Sequence, residues 1–358
     1  MEKIFTPFEK NGLRLKNHIV MAPMTRSRAL NNIPNQLMAT YYRQRSQAGL
    51  IITEATAISP DALGYTRTPG IFSTQQIAGW KLSTEAVHTN GAKIFLQLVH
   101  SGRIGHVDNL PVGARLVGVS DIRAQGQIFT DTRQMQPFSQ PKALLTSEVE
   151  KVIEDFVTAA RNAVQAGFDG VELHSANGYL MEQFLNPHIN NRTDRFGGSI
   201  ENRARFVLNV AEKISAAIGK SNVGVRFSPY STFNDLPAYD RQEVHETYQY
   251  LAEKLNEIGV GYIHLALNPD ADPATYQVVR EKFTGNLLYC NGLDLQSAEK
   301  ILQEGRADLV GFGRHFIANP DLVTRLQQNE KLAQPDFETF YSNGEKGYID
   351  YSFLNQVI

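Results

Sequence analysis

With 358 residues, 42% hydrophobic and 20% charged, the chain holds either two ordinary domains or one α/β barrel, and its near-average apolar content excludes a disordered or fibrous polymer. Lys and Arg number 35 and Asp and Glu 37, a net charge of −2, without the basic face that nucleic-acid or membrane-surface binding needs. The single cysteine, Cys290, excludes a disulfide framework, an iron–sulfur cluster and a cysteine-based zinc site.

The first segment, residues 1–16, opens on Met1-Glu2-Lys3 without the apolar core of a signal peptide. No apolar run reaches the roughly 18 residues of a membrane span, so a cytoplasmic protein is the expectation. Ile4–Leu15 reads as a hairpin around a Lys-Asn-Gly turn, placed to plug the floor of a barrel. Short apolar runs then recur at His18–Pro23, Leu50–Glu54, Lys93–Val99, Gly170–Ser175, Val223–Ser228, Tyr262–Leu267, Leu287–Cys290 and Asp308–Gly311. They read as strands buried on both faces. Amphipathic helices separate them. Val149, Val152, Ile153, Phe156, Ala160, Ala163 and Val164 keep helical spacing, with Thr146 or Ser147 as cap and Gly167 as stop. Alternating β and α predicts a parallel sheet. The number of units predicts a single closed (β/α)₈ TIM barrel over residues 1–358, with an open doubly wound sheet as the alternative. The Gly/Pro-rich excursion 101–145 follows strand three and reads as a cap over the mouth, the side where barrel active sites lie.

The strand ends carry the polar residues. Strand one ends Pro23-Met24-Thr25, where Thr25 is either a hydroxyl at the mouth or a turn residue; strand two leads to the small Ala57. On strand three Gln97 is a carboxamide pointing inward, which needs partners if buried. Strand four reads Glu172-Leu173-His174-Ser175-Ala176-Asn177-Gly178-Tyr179, so Glu172 and His174 share a face and Asn177 and Tyr179 follow in the exit turn. His174 and Asn177 suit donation to one oxygen and Tyr179 suits proton delivery; a capped turn with Tyr179 as packing is the plain alternative. No second His or carboxylate stands at metal-ligand spacing. Strand five carries an inward Arg226, to be matched by an anion or by Glu172. Strands seven and eight end Asn291-Gly292 and Gly313-Arg314, backbone suited to a phosphate. A dinucleotide fingerprint is not formed, because Phe316 stands where its last Gly should.

In this order the motifs resemble the old yellow enzyme family of FMN-dependent ene-reductases. The resemblance runs from Phe5-Thr6-Pro7 to Gly347-Tyr348-Ile349-Asp350-Tyr351. It is most specific at Met21-Ala22-Pro23-Met24-Thr25-Arg26, Ala166–His174, Asn191–Ser199 and Gly313–Pro320, and Thr25 makes it similar to the classical branch. It implies noncovalent FMN at the barrel mouth and NADPH or NADH as reductant. Pro23, Met24, Thr25, Ala57, Gln97 and Arg226 would contact the isoalloxazine or ribityl part. Gly292, Gly313 and Arg314 would hold the phosphate, with Asn291 in the cradle where many members carry Gly. His174 and Asn177 would bind the substrate's carbonyl or nitro oxygen, and Tyr65 and Tyr348 would line its pocket. Hydride would pass from flavin N5 to the β-carbon of an enone or nitroalkene while Tyr179 protonates the α-carbon. The same site would serve a nitroester or nitroaromatic reductase, and a flavin-binding barrel without turnover is the non-enzymatic alternative. The expected partners are small molecules, with no nucleic acid, no membrane and a monomer or homodimer. Val99 stands where many relatives carry Trp, which implies a wider pocket on that side unless a residue such as Phe129 fills it.

Overall fold

Segments too apolar to face water on either side alternate with amphipathic helices, and in the computed structural model, which describes residues 2–354, they close into a barrel. Its strands are β1 (Ile19–Met21), β2 (Leu50–Ile52), β3 (Lys93–Val99), β4 (Gly170–Ser175), β5 (Val223–Phe227), β6 (Tyr262–Ala266), β7 (Asn286–Cys290) and β8 (Leu309–Phe312). Every neighbour pairs in parallel; β8 pairs with β1, and β3 with β4 completes the ring. A short strand, Thr56–Ala57, adds to the end of β3. The expected (β/α)₈ barrel is therefore met, and a doubly wound sheet, which keeps two open edges, is not.

Alternation sorts the side chains. Val20, Leu50, Ile52, Phe95, Tyr262, Leu288 and Leu309 fill the lower interior together with Phe8, Leu13 and Leu15. Those last three come from the hairpin Phe8–Lys10/Leu13–Leu15, whose turn residues Asn11 and Gly12 both have positive φ, 52° and 82°. An Asn-Gly pair suits that turn geometry. Each fully buried Leu or Phe is worth roughly 1.5–3 kcal/mol, so the hairpin closes the floor firmly and leaves the strand C-termini as the open end. Ile19, Met21, Ile51 and Leu173 point the other way, into the layer shared with the helices.

The helix Thr146–Gln165 buries Val149, Ile153, Phe156, Ala160 and Ala163, and Gly167 ends it with φ 89°. Neither Thr146 nor Ser147 caps it. Glu148 accepts instead from the Leu145 backbone N–H at 2.8 Å, and the Thr146 hydroxyl donates to Asp194. Over the mouth, residues 101–145 form a parallel pair, Val117–Gly118 with Lys142–Ala143, and an antiparallel hairpin, Gln127–Thr130 with Gln134–Pro137.

Three buried arginines tie the last described segment to the barrel. Arg26 donates to the Gly347 carbonyl at 2.7 Å, Arg28 to those of Thr339 and Lys346 at 2.9 and 3.0 Å, and Arg45 to that of Tyr348 at 3.2 Å. Tyr348 stacks on Tyr41 with ring centres 4.1 Å apart and planes 5° from parallel. Among the described residues no helix is long and apolar enough to cross a membrane.

Candidate active site

At the strand C-termini lies a cavity of about 780 Å³. Pro23, Thr25, Tyr65, Gln97, His174, Asn177, Tyr179 and Arg226 all belong to its wall. The parallel register brings them there. His174 of β4 pairs with Arg226 of β5, and Arg226 with His264 of β6; Gln97 of β3 pairs with Glu172 of β4. In a parallel sheet, paired positions point to the same face, so these polar side chains gather inside the barrel, Gln97 with Glu172 in one row and His174, Arg226 and His264 in the level above.

Below that level Glu172 is the common acceptor. It takes hydrogen bonds from Gln97 Nε2 at 2.8 Å, Tyr262 Oη at 3.0 Å and His264 Nδ1 at 2.9 Å. Tyr262 reaches it only because residue 224 is glycine; a Cβ there would stand 2.0 Å from the tyrosine ring. Burial pushes the Glu172 carboxyl up, but the positive charges of His264 and Arg226 more than offset it, so Glu172 stays ionised. Arg226 makes no hydrogen bond to Glu172 among the described residues. Its partner is the Cys290 sulfur, 3.9 Å away, and its Nε is buried without one. His174 is also buried, and its Nδ1 has no partner. Burial, and then the charges of Arg226 and His264, hold it well below the usual imidazole range, so it is a neutral donor. Two buried polar nitrogens without protein partners in one cavity wall are costly unless a ligand satisfies them.

The exit turn of β4 is clamped on all sides. Asn177 and Gly178 have φ 58° and 77°. The Asn177 N–H donates to Ser228 Oγ at 2.8 Å and the Gly178 N–H to Glu182 Oε2 at 2.7 Å. Ser228 in turn donates to Glu182 at 2.8 Å, and Asn234 Nδ2 donates to the Asn177 carbonyl at 2.8 Å. Burial pushes Glu182 up to about 7. Tyr179 then sits edge-on to His174, ring centres 4.8 Å apart, and donates to the Tyr65 hydroxyl at 3.3 Å. Tyr65 donates to Asn234 at 3.4 Å. Burial raises the Tyr179 phenol above its ordinary value, against the pull of Tyr65 and Asn234. It therefore keeps its proton at neutral pH.

Other expected site residues lie outside this wall. Met24 and Gly313 meet at the β1–β8 edge, where a Cβ on Gly313 would come 3.5 Å from the Met24 sulfur. Asn291, Gly292 and Arg314 are exposed beyond β7 and β8, and a Cβ on Gly292 would meet nothing within 4 Å. Ala57 lines a side pocket. Tyr348 is a correction: it is fully buried against Tyr41 and Arg26, away from the cavity, because the arginine clamp holds it in the wall behind. The width expected at Val99 is a second correction. The space beside Val99 is about 10 Å³, closed by Leu63, Tyr65, Ser101 and Tyr179, barely one water. Phe129 stands instead at the main cavity, with Met135, Phe233 and Tyr341.

Glu182, Ser228, Asn234 and His264 are site residues that sequence alone does not single out. Two left a trace. Glu182 is a carboxylate inside the apolar run Leu180–Leu185, and His264 interrupts the apolar Tyr262–Ala266.

The described geometry has close counterparts. Residues 3–333 match the NADH:flavin oxidoreductase / NADH oxidase family. The chain is 40% identical to 12-oxophytodienoate reductase 1 of Oryza sativa subsp. japonica, over 99% of this chain and 94% of that one. It is 38% identical to a probable flavin mononucleotide-dependent alkene reductase of Leishmania infantum, over 99% and 98%. The solved structure of morphinone reductase in complex with tetrahydroNAD superposes with a TM-score of 0.94 at 42% identity, over 99% of this chain and 98% of that one.

Proposed function

The chain belongs to the NADH:flavin oxidoreductase / NADH oxidase family, that of the old yellow enzymes, and on that premise we propose how its own residues divide the work. It is an FMN-dependent NAD(P)H oxidoreductase that reduces activated C=C bonds. FMN, when bound, takes reducing equivalents from NAD(P)H and supplies the hydride that adds to the substrate's β-carbon. The protein supplies binding, orientation and the proton.

The cavity fits such a group. Gln97 keeps its amide oxygen for a heteroaromatic edge while its Nε2 is held by Glu172. Arg226 offers an unpaired Nε, and Pro23 and Thr25 form the facing wall. Met24 and Ala57 flank it. The open backbone at Asn291, Gly292 and Gly313, with Arg314 alongside, would hold the phosphate. His174 and Asn177 donate to the carbonyl or nitro oxygen of a small-molecule substrate, a preorganised pair for the charge that develops there. His174 does so as neutral imidazole, so it stabilises charge without giving up its proton. Tyr179, held protonated, delivers the proton to the α-carbon as general acid. Phe129, Met135, Phe233 and Tyr341 give the entrance an apolar rim. The site of action is the cytoplasm and the assembly a monomer or homodimer, which fractionation and sedimentation test.

The observation that carries the reading is the pair of buried, unpartnered nitrogens, His174 Nδ1 and Arg226 Nε, in one wall with Tyr179. The FMN-loaded protein should bleach anaerobically with NAD(P)H and recover its colour with 2-cyclohexenone, and the product formed in D₂O should carry deuterium at the α-carbon. Bleaching without recovery by any enone or nitroalkene would refute alkene reduction. Recovery with nitrate esters alone would point to nitroester reduction.

A further inference from the structure

Asn177 reaches into the cavity with a side chain that no protein group holds. Among the described residues its carboxamide makes no hydrogen bond, while its backbone N–H and C=O are both engaged. The direction of the carboxamide is therefore set by the backbone. That backbone is left-handed at Asn177 and again at Gly178, and a non-glycine residue keeps such a conformation only where its surroundings over-determine it. Side chains take every backbone polar group of the pair. The Asn177 N–H goes to Ser228 Oγ at 2.8 Å and its carbonyl to Asn234 Nδ2 at 2.8 Å. The Gly178 N–H goes to Glu182 Oε2 at 2.7 Å and its carbonyl to Gln183 Nε2 at 2.8 Å.

Glu182 governs both N–H groups. It takes the Gly178 N–H directly. Its Oε1 accepts the Ser228 hydroxyl at 2.8 Å, and with that proton committed the serine oxygen presents its lone pairs to the Asn177 N–H. Tyr248, on the helix Arg241–Ile258, completes the set with a bond to Oε1 at 3.3 Å. Glu182 itself is buried on the short helix Leu180–Leu185, among Leu180, Met181, Phe184 and Leu185. A carboxyl group is costly to bury in such company unless it is hydrogen-bonded, and what it bonds is the turn.

We propose that Glu182 is a positioning residue for the substrate's oxygen: by accepting from the Gly178 N–H and from Ser228 it fixes the left-handed turn that aims the Asn177 carboxamide into the cavity. The inference rests on Asn177 binding that oxygen. Glu182 touches neither substrate nor cofactor and acts only through the turn. Without an acceptor at residue 182 the Gly178 N–H is orphaned and the Ser228 hydroxyl is free to rotate. The turn then relaxes and Asn177 swings away, while His174 stays fixed on β4. Glu182 also lines a second cavity, of about 670 Å³, between the exit loop of β5 and the helix Arg241–Ile258. Water from that side can replace a truncated side chain, so the informative variant carries Leu, which fills the space and accepts nothing.

The test compares FMN-loaded wild type, E182L, E182Q, N177A and E182L/N177A at about pH 8.5, where Glu182, lifted by burial to about 7, is ionised. Two quantities are read. One is the limiting rate of anaerobic reoxidation by 2-cyclohexenone. The other is the affinity for cyclohexanone, which offers the same oxygen without a reducible bond, followed by flavin absorbance. E182L should lose at least about tenfold in rate and approach N177A, since one donor to a developing oxyanion is worth about 10²–10³-fold. Its ketone affinity should fall to that of N177A. E182L/N177A should match N177A within about twofold, because the two changes remove one interaction. E182Q, whose amide oxygen still takes the Gly178 N–H, should stay near wild type. Reoxidation by dioxygen, which yields hydrogen peroxide and needs no donor to a carbonyl, should be the same in every variant. Losses that multiply in the double variant overturn the proposal, as do an E182Q as impaired as E182L and a dioxygen rate that falls with the enone rate. E182L at the wild-type rate beside a slow N177A overturns the proposal and leaves Asn177 its role; N177A at the wild-type rate overturns both. If E182L does not fold, S228A, which cuts the link to the Asn177 N–H, takes its place in the same measurements, and a wild-type rate there overturns the proposal.

Discussion

Replacing Tyr179 with Phe removes one oxygen and little else. Its hydroxyl makes one long bond, to Tyr65 at 3.3 Å, and Tyr65 keeps Asn234 as its own acceptor at 3.4 Å. No buried donor is orphaned, so the stability change should stay within about 1 kcal/mol. The edge-on contact with His174 survives. What is lost is the general acid, worth about 10²–10⁴-fold, or roughly 3–5 kcal/mol of barrier. Anaerobic stopped flow separates the two halves of the reaction. Reduction by NAD(P)H should keep its wild-type rate, and reoxidation by 2-cyclohexenone should slow by that factor. Nitroalkenes, acidic at the α-carbon once reduced, should suffer less. Because burial raises the phenol, wild-type reoxidation should show no loss from tyrosine ionisation below the ordinary phenol range. An equal fall in both half-reactions, or none in either, would show that Tyr179 packs the turn and does not donate the proton.

Glu182 sits at about 7, above the 4.5 of a free glutamate, so its contribution to folding is full below 4.5 and falls as pH rises toward 7, by at most about 3 kcal/mol. E182Q should flatten that slope relative to wild type in urea midpoints taken on either side of the transition; parallel curves would place the carboxyl in water. V99W must enter a space of about 10 Å³, so overpacking should cost about 1–3 kcal/mol, and an unchanged melting temperature would show the side pocket to be open. Y348F removes a buried hydroxyl without a partner; it should leave both stability and the enone KM unchanged, and a raised KM would return Tyr348 to the substrate pocket. R314A should weaken FMN binding by about 1.5–3 kcal/mol and reduce its salt dependence in a fluorescence titration, and an unchanged affinity would remove Arg314 from the phosphate cradle.

The barrel and the β4 exit turn were legible because their signals are local. Strand, turn and helix follow from neighbours a few positions apart, and Glu172–Tyr179 carries its polar cluster in a single stretch. The misplaced and overlooked residues depend on distant partners. Tyr348 looks like any aromatic near a mouth until Tyr41 stacks on it and Arg26 lies over its face. Val99 is small, but how much room that leaves depends on Tyr65 and Leu63 from another loop. Glu182 reads as one polar residue in an amphipathic turn; only the fold brings Ser228 and the Gly178 N–H to it. His264 is a strand residue until parallel register sets it beside Arg226 and across from Glu172.

The bond from Arg26 to Gly347 spans 321 residues. All eight barrel strands precede residue 313, yet Glu338, Tyr341, Ser342 and Asn343 form part of the mouth. One side of the entrance is therefore supplied by a segment outside the barrel strands, held to them by Arg26, Arg28 and Arg45. The entropy of closing so long a loop grows only slowly with its length, about 0.6 kcal/mol per doubling, so the finished state loses little by it. The consequence is mechanical: Arg26, just after the first barrel strand, anchors the far jamb of the doorway, so a change there is felt at an entrance wall built from the other end of the described fold.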